Sequence, residues 1–214
     1  MIGLIVARSK NNVIGKNGEI PWKIKGEQKQ FRELTTGNVV IMGRKSYEEI
    51  GHPFPNRRNI NMQFTYKKAT IQDIDILVET RIEVLRAANK LDATVDMKEV
   101  EKQSYEYYKK SLEENTHAAY LVYCGNKFIG AGGISYFRVM PTYHNPTGYK
   151  AYVMNMYTVP EYRRKGVAYK TLELLVADAK IRGISAISLE ATDMGRPLYE
   201  KYGFVKMKDE MELL

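Results

Sequence analysis

A chain of 214 residues with 44% hydrophobic and 27% charged side chains and a mean hydropathy of −0.42 lies outside the disordered and membrane classes, and its length suits one domain with an appendage or two small ones. The net charge of +8 suggests nucleic acid until it is divided along the chain: residues 1–61 hold 11 Lys/Arg against 5 Asp/Glu, and the remainder 22 against 20. The early cations are scattered singly without interleaved aromatics, and no apolar run nears the roughly 18 residues of a membrane span, so neither nucleic acid nor membrane is expected as a partner.

Residues 2–7 read as a short strand with no basic leader and too few apolar residues for a secretory signal, which makes a cytoplasmic location the expectation. A turn-rich stretch follows at 11–18, then a short helix at 26–34 and a second strand, Val39-Val40-Ile41-Met42. Gly43-Arg44-Lys45-Ser46 opens another short helix, and the chain then becomes irregular over 51–58. Strand, helix, strand and helix make an incomplete βαβ beginning of a parallel sheet. Such a sheet needs cover on both faces, and about 60 residues bury too little surface to stand alone.

This segment, 1–60, resembles the N-terminal part of dihydrofolate reductase. The resemblance rests on Val13-Ile14-Gly15, Pro21-Trp22, Glu27, Ile41-Met42-Gly43-Arg44-Lys45-Ser46 and Gly51-His52-Pro53-Phe54-Pro55-Asn56-Arg57. It implies that Glu27 matches the acid that protonates the pterin, that the Gly-Arg-Lys-Ser stretch matches an NADPH contact, and that Arg57 matches the arginine that grips the folate carboxylate. The match ends at Ile60, and the family's later Gly-Gly cofactor turn has no counterpart downstream. Half a dinucleotide site does not position a nicotinamide against a pterin. Residues 1–60 therefore read as a truncated relic joined by gene fusion and dispensable to the rest, with reductase activity as the alternative.

Residues 62–214 read as a complete α/β domain. A strand at 64–68 precedes Thr70-Ile71-Gln72-Asp73, a helix-start signal, after which Ile74, Leu77, Val78, Ile82 and Leu85 recur at helical spacing. Asp96 and Glu99 start a second helix carrying Met97, Val100, Tyr107, Tyr108 and Leu112. Strands at 119–124 and 128–136 flank the turn Gly125-Asn126-Lys127, and a loop bearing Pro141 and Pro146 leads to a long strand at 149–159. An amphipathic helix at 167–182 stops at Gly183, followed by a strand at 185–191, a short helix at 197–202 and a last strand near 204–213. Cys124, the single cysteine, closes an apolar run and reads as a buried core thiol.

Chemistry concentrates where the long strand meets the amphipathic helix, at Tyr157-Thr158-Val159-Pro160-Glu161-Tyr162-Arg163-Arg164-Lys165-Gly166-Val167-Ala168-Tyr169. A basic, glycine-bearing loop that opens a helix aims backbone N–H groups and the positive end of the helix dipole at one spot, which suits a pyrophosphate. It is neither a Walker loop nor a dinucleotide G-x-G-x-x-G. The run Arg163 to Ala168 fits R/Q-x-x-G-x-G/A, and Leu198-Tyr199-Glu200-Lys201-Tyr202-Gly203-Phe204 follows one helix and one strand later.

With these two motifs in order, residues 62–214 resemble the GCN5-related N-acetyltransferase (GNAT) family. The resemblance implies a mixed, mostly antiparallel central sheet flanked by helices, acetyl-CoA as co-substrate, and direct acetyl transfer to a primary amine of a small molecule or peptide. It also implies that the backbone of Tyr157, Thr158 and Val159 pairs with pantetheine, and that Arg164, Lys165, Gly166, Val167, Ala168 and Tyr169 hold the pyrophosphate. Tyr199 matches the tyrosine that protonates the departing thiolate; its plainer reading is a packing residue. Relatives often place a glutamate on the long strand where this chain has Asn155, leaving Glu190 or a water chain as base. Thr192, Asp193 and Gly195 form a turn that departs from the family's pattern.

The tyrosines at 105, 107, 108, 120, 136, 143 and 152 serve either as core or as the wall of an acceptor pocket. His117 and His144 are isolated, so no metal is expected. The other class of function that remains is a non-catalytic module that binds acetyl-CoA, and a homodimer is compatible with the sequence.

Overall fold

The computed structural model describes residues 25–42, 52, 54–61 and 63–208. The chain divides into two compact units, Met1–Gln63 and Phe64–Leu214. The expected strand at 2–7, the motifs at 13–15 and 21–22 and the helix opened by Gly43 lie outside the described residues.

In the first unit, helix α1 (Glu27–Thr35) ends where Thr36 turns to extended backbone, its N–H still bonded to Arg32 O. Strand β1 (Val39–Met42) follows. The described residues of the stretch expected to be irregular, 52 and 54–57, are loop, turn and bend, and an unannounced strand follows from its last residue, β2 (Arg58–Asn61), paired in parallel with β1 from Val39 opposite Arg58 to Met42 opposite Asn61. Its sequence Arg-Asn-Ile-Asn is too polar and short to announce a strand, and only the non-local pairing creates it. Arg57 donates to Thr35 Oγ1 at 2.8 Å and to Pro55 O at 2.9 Å, and its guanidinium lies 5.2 Å from the centre of the Phe54 ring.

The second unit is built on a five-stranded sheet of order β3-β4-β5-β6-β7. Its elements are β3 (Phe64–Lys68), α2 (Ile74–Asn89), α3 (Lys98–Glu113), β4 (His117–Cys124), β5 (Lys127–Arg138), β6 (Tyr149–Thr158), α4 (Val167–Ile181), β7 (Ala186–Leu189) and α5 (Arg196–Tyr202). Pairing is antiparallel throughout except between β6 and β7. The helix starts obey the sequence: the Asp73 carboxylate accepts the Thr70 N–H at 2.9 Å, and that of Asp96 accepts the Lys98 N–H at 2.9 Å. Both contacts satisfy amides that the first turn of a helix leaves without partners.

Alternation along the strands sends side chains to two opposite cores. On one face Ile134, Ala151 and Val153 pack with Leu172, Leu175 and Ala179 of α4 and with Tyr199 of α5. On the other, Ala119, Leu121 and Ala131 pack with Leu77 and Val78 of α2 and with Tyr108 of α3. Each fully buried aliphatic side chain contributes roughly 1.5–3 kcal/mol. Helix α4 is further held by Asp178, which bonds Lys68, the Tyr136 hydroxyl and Arg182. Burial alone would raise that carboxyl, but these three donors hold it at about 2.

Two expectations need correction. Cys124 is half-buried, because it ends β4 beside the exposed Gly125 turn. The described part of the expected last strand, 204–208, is irregular, and 209–213 lies outside the described residues.

Candidate active site

Strand β6 has two different halves. Lys150, Ala151, Tyr152 and Val153 pair with Ala186, Ile187, Ser188 and Leu189 of β7. β7 then ends, so among the described residues the strand from Met154 to Thr158 keeps β5 on one side and has no strand on the other. The Val159 N–H donates to Ile129 O on β5 at 2.9 Å. Alternation therefore turns the Thr158 backbone to the open side, where its carbonyl accepts Arg163 Nε at 3.0 Å. Thr158 Oγ1 is buried without a hydrogen-bond partner.

A β-bulge marks the start of this open half. Gly133 pairs with Met154 and Ala131 with Tyr157, so Gly132 faces both Asn155 and Met156. Asn155 takes the extra residue's strain at φ 54°, a left-handed conformation that asparagine tolerates better than most residues. Gly132 is required opposite: a Cβ there would meet Met156 Sδ at 2.6 Å and Thr171 Cγ2 at 2.7 Å. The bulge aims Asn155 at α3, where its Nδ2 donates to the Tyr108 hydroxyl at 3.3 Å. Asn155 is only 6% exposed, and its Oδ1 has no partner.

Beyond β6, a 3₁₀ turn (Pro160–Tyr162) leads into the basic loop. Arg164 and Gly166 both adopt left-handed backbone, at φ 59° and 81°. Gly166 caps α4 without a side chain, and a Cβ on it would meet nothing within 4 Å, so the space before the first turn of α4 is open. The Lys165 ammonium lies 4.9 Å from the Tyr162 ring centre, and Arg164 and Lys165 are exposed. Val167 is buried, while Ala168 and Tyr169 are half-buried on the first turn. An open β edge with an orphaned hydroxyl, followed by an uncapped helix N-terminus, matches a ligand with amide groups and a pyrophosphate.

Tyr199 is 8% exposed and packs edge-on to Phe204 at 6.1 Å. Burial pushes its phenol above the ordinary value, so it stays protonated near neutral pH. Tyr202, one turn on, is half-buried and stacks on Tyr169 at 5.5 Å. Glu190 follows the last β7 residue, at the fork between β6 and β7, and is exposed. Its carboxylate bonds the Tyr152 phenol, which burial first and this contact second push up to about 12. The Tyr157 phenol is likewise raised to about 12, by burial and then by Glu83. The Tyr157 ring thus belongs to the α2 face and Tyr199 to the α4 face.

A cavity of about 600 Å³ opens on the α3 side, lined among others by Arg81, Tyr107, Tyr108, Ser135 and Met154. Beside it lies a group that the sequence did not reveal. His117, 3% exposed, stands edge-on to Tyr107 and Tyr108 at 5.6 and 5.3 Å, and its Nδ1 is 3.2 Å from the Tyr107 hydroxyl. Burial lowers the imidazole to about 4, so it is neutral at physiological pH. Of the tyrosines considered for the acceptor wall, Tyr107, Tyr108 and Tyr136 line the cavity, whereas Tyr143 is exposed. Among the described residues no cluster of three His, Cys, Asp or Glu could hold a metal, and no helix is long and apolar enough to cross a membrane.

Residues 83–204, more than half of the chain, match the family model of the GNAT acetyltransferases. The chain belongs to this family of acetyl-CoA-dependent N-acetyltransferases. A predicted acetyltransferase from Clostridium acetobutylicum, solved with acetyl-CoA, is 35% identical, aligns over 71% of this chain and 96% of its own, and superposes with a TM-score of 0.66. A GCN5-related N-acetyltransferase from Ralstonia eutropha shares the fold at 19% identity and a TM-score of 0.62, over 71% of this chain and 99% of its own. The mixed, mostly antiparallel sheet with flanking helices is the architecture of this GNAT chain.

Residues 1–95 match the dihydrofolate reductase family model. The type A13 reductase of Escherichia coli is 56% identical over 59 residues, which are 28% of this chain and 36% of that enzyme. The reductase of Haemophilus influenzae is 54% identical over 57 residues. The chain thus spans about a third of the length of the curated reductases it resembles.

Proposed function

We propose that the second unit transfers an acetyl group from acetyl-CoA to a primary amine of a small molecule. The observation that carries this reading is the loss of the β7 partner along β6 from Met154 to Thr158. The open edge is a template for strand-like pairing with the amides of pantetheine, and the Thr158 backbone faces it. Arg164, Lys165 and the amides from Gly166 to Tyr169 would hold the pyrophosphate at the start of α4. A cavity of about 600 Å³ falls within the range of small-ligand sites, which favours a small acceptor over a folded protein.

In the transfer, the neutral amine nitrogen bonds to the thioester carbonyl carbon, the carbonyl electrons move to oxygen, and the intermediate collapses as the carbon–sulfur bond breaks. Backbone N–H groups next to Tyr157 would stabilise the oxyanion. Tyr199 donates its proton to the sulfur, a role served by a phenol that burial keeps protonated. The amine's excess proton leaves toward Glu190 at the fork, directly or through water, because Asn155 offers no basic group. We read residues 1–60, within the first unit, as carrying no reductase step.

Incubating the protein with acetyl-CoA and a panel of amines while following free thiol tests the proposal. Amine-dependent thiol release supports it. Acetyl-CoA binding without release to any amine would favour a binding module instead.

A further inference from the structure

The cavity reaches Met154, just past the point where β7 leaves β6. Tyr108 lines it and touches Asn155, whose buried Oδ1 lacks a donor, at the position where β7 leaves β6. The chemical class of the acceptor is written in Arg81.

Arg81 lies on α2, is half-buried, and lines the same cavity. Among the described residues it makes no hydrogen bond and no ion pair. Its neighbour on the helix, Arg86, is equally half-buried, but its guanidinium is taken up by the carbonyls of Asp92 and Val95. The acid that lines the cavity, Glu99, accepts a bond from Gln103 at 2.9 Å and forms no pair with Arg81. Burial raises the phenols of Tyr107, Tyr108 and Tyr152, and the Arg81 charge opposes that rise in all three, the first two of which line the cavity. A partly desolvated guanidinium with no acid is costly, and its fork of donors suits a carboxylate or phosphate.

We infer that this cavity binds an amine acceptor that also bears an anionic group, a carboxylate or a phosphate, which Arg81 holds. This rests on the acetyl-transfer reading above. Acceptors that are purely cationic, or neutral apart from the amine, leave Arg81 unpaired and are poor substrates.

The test uses the full chain, acetyl-CoA and two matched pairs: β-alanine against β-alaninamide, and O-phosphoethanolamine against ethanolamine. The wild type should favour the anionic member of at least one pair by tenfold or more in kcat/KM, and which pair shows it separates carboxylate from phosphate. Arg81→Gln should erase that preference while leaving the neutral member within about twofold, and Arg81→Lys should restore part of it. An unchanged acetyl-CoA thermal shift shows that each variant is folded. Equal use of both members in both pairs, or a preference that survives Arg81→Gln, overturns the inference while leaving acetyl transfer intact. If none of the four amines is acetylated, binding of N-acetyl-β-alanine against N-acetyl-β-alaninamide decides it by calorimetry. Arg81-dependent preference for the anion supports the inference, and its absence overturns it. Failure of acetyl-CoA itself to bind instead overturns the acetyl-transfer reading.

Discussion

The two units treat apolar strand residues in opposite ways. In the first, β1 is Val-Val-Ile-Met, yet Val39 is 52% and Ile41 64% exposed, and the buried residues among those described are Thr35 and Met42. In the second, β4 and β5 bury Leu121, Val122, Ile129 and Ile134 completely. Strand propensity does not separate them; cover does. A pair of parallel strands needs layers on both faces, whereas the five-stranded sheet has α2 and α3 on one side and α4 and α5 on the other.

If function and stability both reside in the second unit, substitutions there should act strongly. The largest effect is expected for Tyr199→Phe. It keeps the ring against Phe204 and removes only the hydroxyl, so kcat should fall by about 100-fold, the lower end of what general acid catalysis contributes. The acetyl-CoA thermal shift should persist. A variant that keeps more than half of the wild-type kcat while chemistry limits the rate makes Tyr199 a packing residue.

His117 sharpens the comparison through stability. In the folded chain it stays neutral down to about pH 4, while an unfolded histidine takes a proton near 6.5. Stability is therefore full above pH 6.5 and falls as the pH drops toward 4, by about 3 kcal/mol for a shift of this size. His117→Gln should flatten that part of the stability profile, measured by urea unfolding at several pH values. An equally steep fall in the variant assigns the acid sensitivity to other groups.

Gly166→Val bears on the loop. The residue sits at φ 81°, which a β-branched side chain resists, and its side chain would enter the open space before α4. At acetyl-CoA a hundredfold above its Kd, the wild type should gain about 2.7 kcal/mol, and the variant should lose that gain. Normal binding by the variant moves the pyrophosphate elsewhere. The smallest effect is expected from removing the first unit: a chain beginning at Met62 should match the full chain in kcat/KM. Loss of folding or activity would make residues 1–60 part of the acetyltransferase.

Much of this division is legible in the sequence, because it rests on local signals. Leu172, Leu175, Val176 and Ala179 mark the buried face of α4 by spacing alone, and the loop before it by its cations and glycine. What was hidden is non-local. Asn155 stands out in the sequence only by the glutamate that relatives often carry there, and nothing local announces the bulge opposite Gly132 that turns it toward Tyr108. His117 and Tyr107 belong to different elements and meet only when β4 packs against α3. Arg81 looks like any solvated helix cation, and only the fold sets it beside a cavity.

The central claim is that the open half of β6 and the start of α4 receive acetyl-CoA while the first unit takes no part. Backbone hydrogen exchange tests it most directly. Saturating acetyl-CoA should slow exchange over residues 154–159 and 164–169, with residues 39–42 and 58–61 unchanged and NADPH without effect. Unaltered exchange at 154–169 under saturating acetyl-CoA, or protection of 39–61 by NADPH, would contradict the account.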